Sequence, residues 1–497
     1  MLNGKLTRPQ PEAPLSDRRD PIDPTAEPVK PADQLTDSPP PLRARLGDRM
    51  KGVAMWLLIE QGAALIVRLV SNVVLARLLS PDAYGLVGLM WTLMVALGLF
   101  TDMGVGRTMV QSQRGDEPDF MNTAWTIQMI RGGVLALAML LLGAGLATAQ
   151  SFGWLAGDNL YSNAHLPPMV VVMSLFMILV GLESMRVHVA HRHMQQATLA
   201  KMAIVTQVAS ISVMVPLAYL TRSHWTLLAG SLTSMSLAVI LQRRWLSGPP
   251  ERLMMEPAAR RELLGQARWI MPATALGFLG MHADRMILGG LVDATSFGLY
   301  TIAYTLATMP WSLLQTVGGK AIFPALSETV RERPTELPRV FMRIQRLFDL
   351  ALVSSMVALA VCAESLVHLL YDARYVHVGP LLSILALGFI GGRNQVVEEC
   401  YISNGHPQYT LMAQSCRVIA LFLSLWFGFH WAGLQGAVVG VALSQFAAWP
   451  LAYWYRWRHG LLSWRADIWL IPAALGGALI GYGLNMALIA LAQLFHR

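Results

Sequence analysis

Apolar residues in this chain run in blocks of twenty or so, divided by short polar loops. A helix crossing about 30 Å of hydrocarbon at about 1.5 Å per residue needs roughly 20 such residues. Only a helix or a closed barrel satisfies its own N–H and C=O groups there. The blocks predict spanning helices near 52–78, 83–106, 122–148, 167–187, 199–220, 225–242, 269–290, 297–319, 347–369, 380–400, 409–430, 433–455 and 468–494. The expected fold class is an all-α polytopic membrane protein of thirteen spans. Charged residues make up only 14% of the chain, against roughly 25% in soluble domains. A cytosolic enzyme, a nucleic-acid binder and a disulfide-stapled secreted protein are thereby excluded. Cys362, Cys400 and Cys416 are an odd set within or beside apolar blocks, without metal spacing, and read as structural thiols.

Lysine and arginine set the expected orientation, because cytoplasmic loops carry the excess. They cluster before the first span (Arg43, Arg45, Arg49, Lys51) and in alternate loops, at Arg186–Lys201, Arg243–Arg268, Lys320–Arg346 and Arg456–Arg465. The intervening loops are nearly bare, and 149–166 has neither residue type. The N-terminus is expected in the cytoplasm and the C-terminus outside. Residues 1–42 hold ten of the 27 prolines and few large apolar side chains, so a disordered cytoplasmic tail is expected over 1–48.

Residues 75–89 (LARLLSPDAYGLVGL) and 288–302 (LGGLVDATSFGLYTI) align at an offset of 213, with Leu78 on Leu291, Tyr84 on Phe297 and Gly85 on Gly298. Both segments close one long helix and open the next at the bare face. Six spans separate the copies, so the two halves share one orientation. Parallel repeats of this kind occur in transporters.

Several charged residues lie at membrane depth, where facing lipid costs several kcal/mol. In the first span Glu60, Gln61, Arg68, Ser71 and Asn72 fall within one arc of about 120° at 100° per residue. Glu60 and Arg68 are about 12 Å apart along the axis and need partners elsewhere or a ligand. Asp102, Asp284, Arg285, Arg393 and Arg417 are the other buried-charge candidates, while Glu398 and Glu399 read as a solvated helix end. Arg68 and Arg417 stand out, since an always-charged fork near mid-membrane suits phosphate or carboxylate. His188, His191 and His193 read as part of a basic loop. No Walker loop, nucleophile elbow or zinc motif is present, so no enzyme is expected.

The chain resembles the polysaccharide transporter family, the Wzx-type lipid-linked oligosaccharide flippases, along most of 50–456. The carriers are Leu75-Ala76-Arg77-Leu78-Leu79-Ser80-Pro81 with Tyr84-Gly85, and Asp102-Met103-Gly104-Val105-Gly106 with Val110-Gln111. In the second half they are Asp284 with Ile287 and Gly289, Phe297-Gly298-Leu299-Tyr300, and Phe323-Pro324-Ala325-Leu326-Ser327. The superfamily also holds multidrug-and-toxin extruders and lipid II flippases. The resemblance implies two pseudo-symmetric six-helix lobes, over 49–246 and 247–457, around a central cavity that opens alternately to either side. Residues 458–497 would add one helix to that core. It also implies a substrate of undecaprenyl-pyrophosphate carrying a sugar repeat unit, moved across the bacterial inner membrane for surface or exopolysaccharide assembly.

In that frame Arg68, Arg417, Arg285, Arg393, Glu60 and Asn72 are the expected cavity residues. Glu60, Asp102 and Asp284 are candidates for charge balance or for coupling to a proton or sodium ion. No cofactor, metal or nucleic acid is expected; the expected partners are the lipid-linked oligosaccharide, membrane lipids and a polysaccharide polymerase or export complex. The rival expectations are a drug or cation antiporter on the same fold and an integral-membrane glycan polymerase.

Overall fold

Prolines and acidic residues open the long helices where the sequence places them. The computed structural model describes Gly62, Val67 and residues 69–495, apart from 156, 194, 266, 318, 320, 321, 407 and 463–466. Glu60 and Arg68 lie outside the described residues. The end of the first span is α1 (Leu69–Leu78). Next, α2 (Pro81–Phe100) has proline in its first turn and Asp82 beside it, and α3 (Pro118–Ser151) repeats the arrangement with Asp119. Proline lacks only an N–H that would go unpaired there, and a carboxylate favours the positive end of the helix dipole.

Further along, α4 is a broken pair, Leu166–Gly181 and Arg186–Arg192, bent by 55°. It is followed by α5 (Gln196–Thr221), α6 (Trp225–Trp245), α7 (Ala267–Gly289) and α8 (Ala294–Val317). The remainder are α9 (Leu337–Leu370), α10 (Val378–Ser403, interrupted by a 3-10 turn at Ile390–Asn394), α11 (408–431), α12 (434–458) and α13 (Leu470–Phe495). The boundary between α11 and α12 is a single break at Ala432 and Gly433, where Gly433 takes φ +55° and ψ −137°. A residue with a Cβ is strained there.

Among the described residues eight helices are long and apolar enough to cross a membrane, or nine if the bent pair is one span, with 408–458 taken as one. The chain is therefore a multi-pass, all-helical membrane protein. Helices α7 and α8 are not among those eight. Histidine, aspartate, arginine, threonine and tyrosine interrupt their apolar surface, and both helices line the cavity described below.

Close approach of small residues holds the bundle, as expected where lipid removes the hydrophobic advantage of helix contact. Gly132 of α3 meets Gly181 of α4, Gly428 of α11 meets Gly436 of α12, and Gly388 of α10 meets Ala442 of α12. Helix α13 lies along α9, with Gly477 against Ser354 and Gly481 against Ala358 and Val361. The two run parallel.

Candidate functional site

A cavity of about 670 Å³ lies between α1, α2, α4, α5 and α6 on one side and α7 and α8 on the other. Its polar lining is Asn72, Thr92, Gln207, Ser210, Ser231, Ser234, His282, Arg285, Thr301 and Thr305, with Tyr84, Trp91 and Phe176 as aromatic wall. No carboxylate is among these lining residues. Most hydroxyls donate to carbonyls of their own helix, Thr92 to Gly88 at 2.8 Å, Thr301 to Phe297 at 2.8 Å and Ser231 to Leu228 at 2.8 Å. Each retains acceptor capacity toward the cavity. Trp91 stands edge-on to Phe176 at 5.3 Å. Hydroxyls, amides and aromatic faces are the groups that hold a sugar.

Arg285 is the one arginine or lysine among the described residues that line this cavity. Its guanidinium is 2.9 Å from His282 Nδ1 and lies 4.3 Å from the ring centre of Tyr304. Among the described residues it makes no ion pair, and its Nε has no hydrogen-bond partner. The adjacent Asp284 faces away and is buried, accepting from the Tyr300 hydroxyl. Neighbours on a helix point about 100° apart, so the pair puts one charge in the cavity and one in the protein. Asn72 lines the cavity from α1, held near α2 by the Tyr84 hydroxyl donating to its carbonyl at 3.2 Å.

The other expected site residues lie elsewhere. Arg393 is 2% exposed and saturated: it bonds Asp349 at 2.7 and 3.1 Å, Asp467 at 2.8 Å and the Tyr453 hydroxyl at 3.1 Å. Arg456 reaches the same Asp467 at 3.2 Å, and Gln345 donates to Asp349 at 2.7 Å. This network ties the start of α13 to α9, α10 and α12, and it is not part of the cavity. Arg417 pairs with Glu398 at 2.5 Å. Glu398 is thus a buried partner and not a solvated helix end, because the 3-10 turn in α10 keeps the following residues inside the bundle.

Asp102 lines a second pocket of about 550 Å³ with Gln128, Arg131, Glu183, His188 and His191, at the break in α4. Its carboxylate accepts from the Gly104 N–H at 3.0 Å, while Arg131 donates to the Gly98 carbonyl at 2.7 Å. Arg131 and Glu183 are polar residues at depth that sequence reasoning missed, as are Gln207, Ser210, Ser231 and Ser234. The signal was present: Gln207, Ser210 and Met214, like Ser231, Ser234 and Ala238, follow the three-and-four spacing of a single helix face.

At the arginine-poor end the halves are joined. Arg374 donates to the carbonyls of Ala76 and Arg77 at 3.4 and 3.3 Å, and the Tyr375 hydroxyl to that of Leu79 at 3.0 Å. A cation at the last carbonyls of α1 suits the negative end of its dipole. The Asp82 carboxylate accepts from the Thr295 hydroxyl at 2.6 Å. Tyr161 donates to Met286 at 3.2 Å.

Residues 74–380 match the family described as polysaccharide biosynthesis protein. The chain is similar to the lipopolysaccharide biosynthesis protein WzxC of Escherichia coli K12, 20% identical over 412 residues covering 80% of this chain and 79% of that one. Among solved structures it is similar to the lipid II flippase MurJ in an inward closed conformation. That likeness has a TM-score of 0.65 and 10% identity, over 90% of this chain and 99% of that one. An inward-facing multidrug transporter of the MATE family gives 0.61 at 15% identity, over 80% and 94%. At these identities the structural likeness speaks for the fold.

Proposed function

The chain belongs to the polysaccharide biosynthesis protein family, and from that premise we propose that it is a flippase for a lipid-linked oligosaccharide, working by alternating access. The observation that carries the reading is the cavity: among its described lining residues, one guanidinium, Arg285, without an ion pair, stands among hydroxyls, amides and aromatic rings with no carboxylate. A glycan carried on a pyrophosphate needs those groups, the arginine for the phosphates and the polar wall for the sugars. A drug-cation antiporter on the same fold would need the opposite charge in this place.

Undecaprenyl-pyrophosphate is the carrier lipid the reading assumes, and the bacterial inner membrane its location. With the arginine-rich end in the cytoplasm, the contacts at the other end close the periplasmic side. The conformation is then one that receives substrate from the cytoplasmic leaflet. Two pseudo-symmetric lobes would rock about the contact between α2 and α8. Arg68 and Asn72 of the first helix would share the headgroup with Arg285. Coupling to a proton or sodium ion, if the cycle uses one, falls to Glu60, Asp102 or Asp284. A polymerase or export complex would take the product.

A strain lacking the gene, complemented with wild type or Arg285→Ala, tests the reading through its surface polysaccharide. The reading expects rescue by wild type alone at equal protein levels. Rescue by the variant removes Arg285 from the mechanism, and normal polysaccharide with new drug sensitivity in the deletion strain selects the antiporter.

A further inference from the structure

A third cavity, about 340 Å³, lies on the outside of the bundle at the foot of α9 and is lined by Arg339, Met342, Arg343, Arg346 and Leu347. The three arginines stand at i, i+4 and i+7, within about 60° of one helix face and about 10 Å of axial rise. Several arginines of this end have carboxylates: Arg114 bonds Glu117 and Glu256, Arg192 bonds Asp116, and Arg331 and Arg333 pair with Glu332 and Glu336. Among the described residues Arg339, Arg343 and Arg346 have neither an ion pair nor a hydrogen bond, although they converge on one cavity. Three like charges held this close repel unless an anion joins them.

Position says which anion. The stripe continues up the helix through Leu347 and Leu350, which are 62% and 51% exposed, to Ser354 and Ala358, where Gly477 and Gly481 of α13 pack. Gly477 opposite Ser354 places the start of α13 about level with Leu347, so the arginines sit just beyond the foot of the α9–α13 pair. Arg346 is about 12 Å below Ser354 along the axis, at the polar end of this apolar face. This cavity shares no lining residue with the central one.

We infer that Arg339, Arg343 and Arg346 form a binding site for the phosphate headgroup of a resident anionic phospholipid, whose chains lie on Leu347, Leu350 and the edge of α13. The site is independent of the transport reading. Its occupant is structural lipid and not cargo, because the groove shares no lining residue with the central cavity.

The test uses full-length protein in a neutral detergent, stripped of lipid and titrated with dioctanoyl phosphatidylglycerol or dioctanoyl phosphatidylcholine, with bound lipid read by native mass spectrometry. Wild type should prefer the glycerol lipid. R339Q/R343Q/R346Q should lose that preference by on the order of a hundredfold, and the surface variant Arg343→Gln, which keeps the test alive should the triple variant not fold, by about fivefold. The control R244Q/R260Q/R261Q removes as much charge from exposed arginines of the same end and should bind as wild type does. Unchanged binding in the first triple variant, or equal loss in both, overturns the site in favour of a diffuse basic surface. Tighter binding of geranylgeranyl pyrophosphate than of phosphatidylglycerol, lost in the same variant, overturns the resident-lipid assignment and gives the groove to cargo. Neither result bears on whether the central cavity transports.

Discussion

Gly85 and Gly298, 213 positions apart, stand back to back with no room for a side chain on either. A Cβ on Gly85 would fall on the carbonyl oxygen of Ala294, and a Cβ on Gly298 on that of Pro81. Pro81 and Ala294 are themselves separated by 213, as are the hydrogen-bonded Asp82 and Thr295. The positions that meet across this contact are thus separated by the offset at which the two sequence segments align.

Gly85→Ala should therefore wedge α2 from α8. Overpacking a tight contact costs about 1–3 kcal/mol, charged here to the conformation closed at the arginine-poor end. In a D82C/T295C background, disulfide formation across the contact is expected to slow by about tenfold, since 1.4 kcal/mol is a factor of ten. An unchanged rate would show that the contact does not govern closure.

The Arg374 contact carries a pH statement. Hydrogen bonding to Arg374 holds the Asp372 carboxyl below its ordinary value, and both lie in a loop outside the spans. A depressed folded pKa means the contribution is complete above the unfolded value of about 4 and is lost as pH falls through the lower one. Between pH 5 and 8 the latch should not titrate. A cysteine at Leu79, which is fully buried, should stay protected from an impermeant maleimide across that range and become reactive in Arg374→Ala. Reactivity rising from pH 8 to pH 5 in the otherwise unaltered protein would refute this.

Two arginines placed at depth by the sequence should separate cleanly by phenotype. Arg393→Ala leaves Asp349 without its cation, while Asp467 keeps Arg456, and breaking a buried pair costs about 3–5 kcal/mol. Its melting temperature should fall and its membrane level with it. Arg285→Ala breaks no hydrogen-bonded ion pair, Asp284 keeping its bond from the Tyr300 hydroxyl, and should melt much closer to wild type than Arg393→Ala does while export is lost. Equal melting of the two variants would contradict the division.

The helices were legible because hydrocarbon demands long apolar blocks, and the pairing of Gly85 with Gly298 because only glycine permits the approach there. The fates of the arginines were not. Periodicity gives the face of a side chain but not its partner, and the partners of Arg393 stand 44 and 74 positions away on other helices. Glu398 looked solvated for the same reason: its partner Arg417 stands on the next helix, 19 positions away. The hydroxyl wall was written in α5 and α6 at helical spacing, but serine in an apolar run gives no sign of whether it meets a cavity or its own backbone. Arg285 was recognised by its charge, yet its role against Asp284 follows only from which of the two faces the cavity.

Filling the cavity offers a test that leaves every charge in place. Ser234→Trp puts a large ring into the polar wall on α6 and should abolish export at normal protein level. Ser212→Trp, on the exposed face of α5, should not. Export that survives Ser234→Trp would exclude this cavity as the route.

The central claim is most directly met by locating the lipid-linked repeat unit by leaflet in a strain lacking the gene, using an impermeant glycan-modifying reagent on intact spheroplasts. The account predicts complete repeat units protected on the cytoplasmic side, moved outward by wild type and left protected by Arg285→Ala. Repeat units reaching the reagent in the deletion strain, unpolymerised, would contradict it: flipping would be intact without this protein, and its task would lie later in assembly.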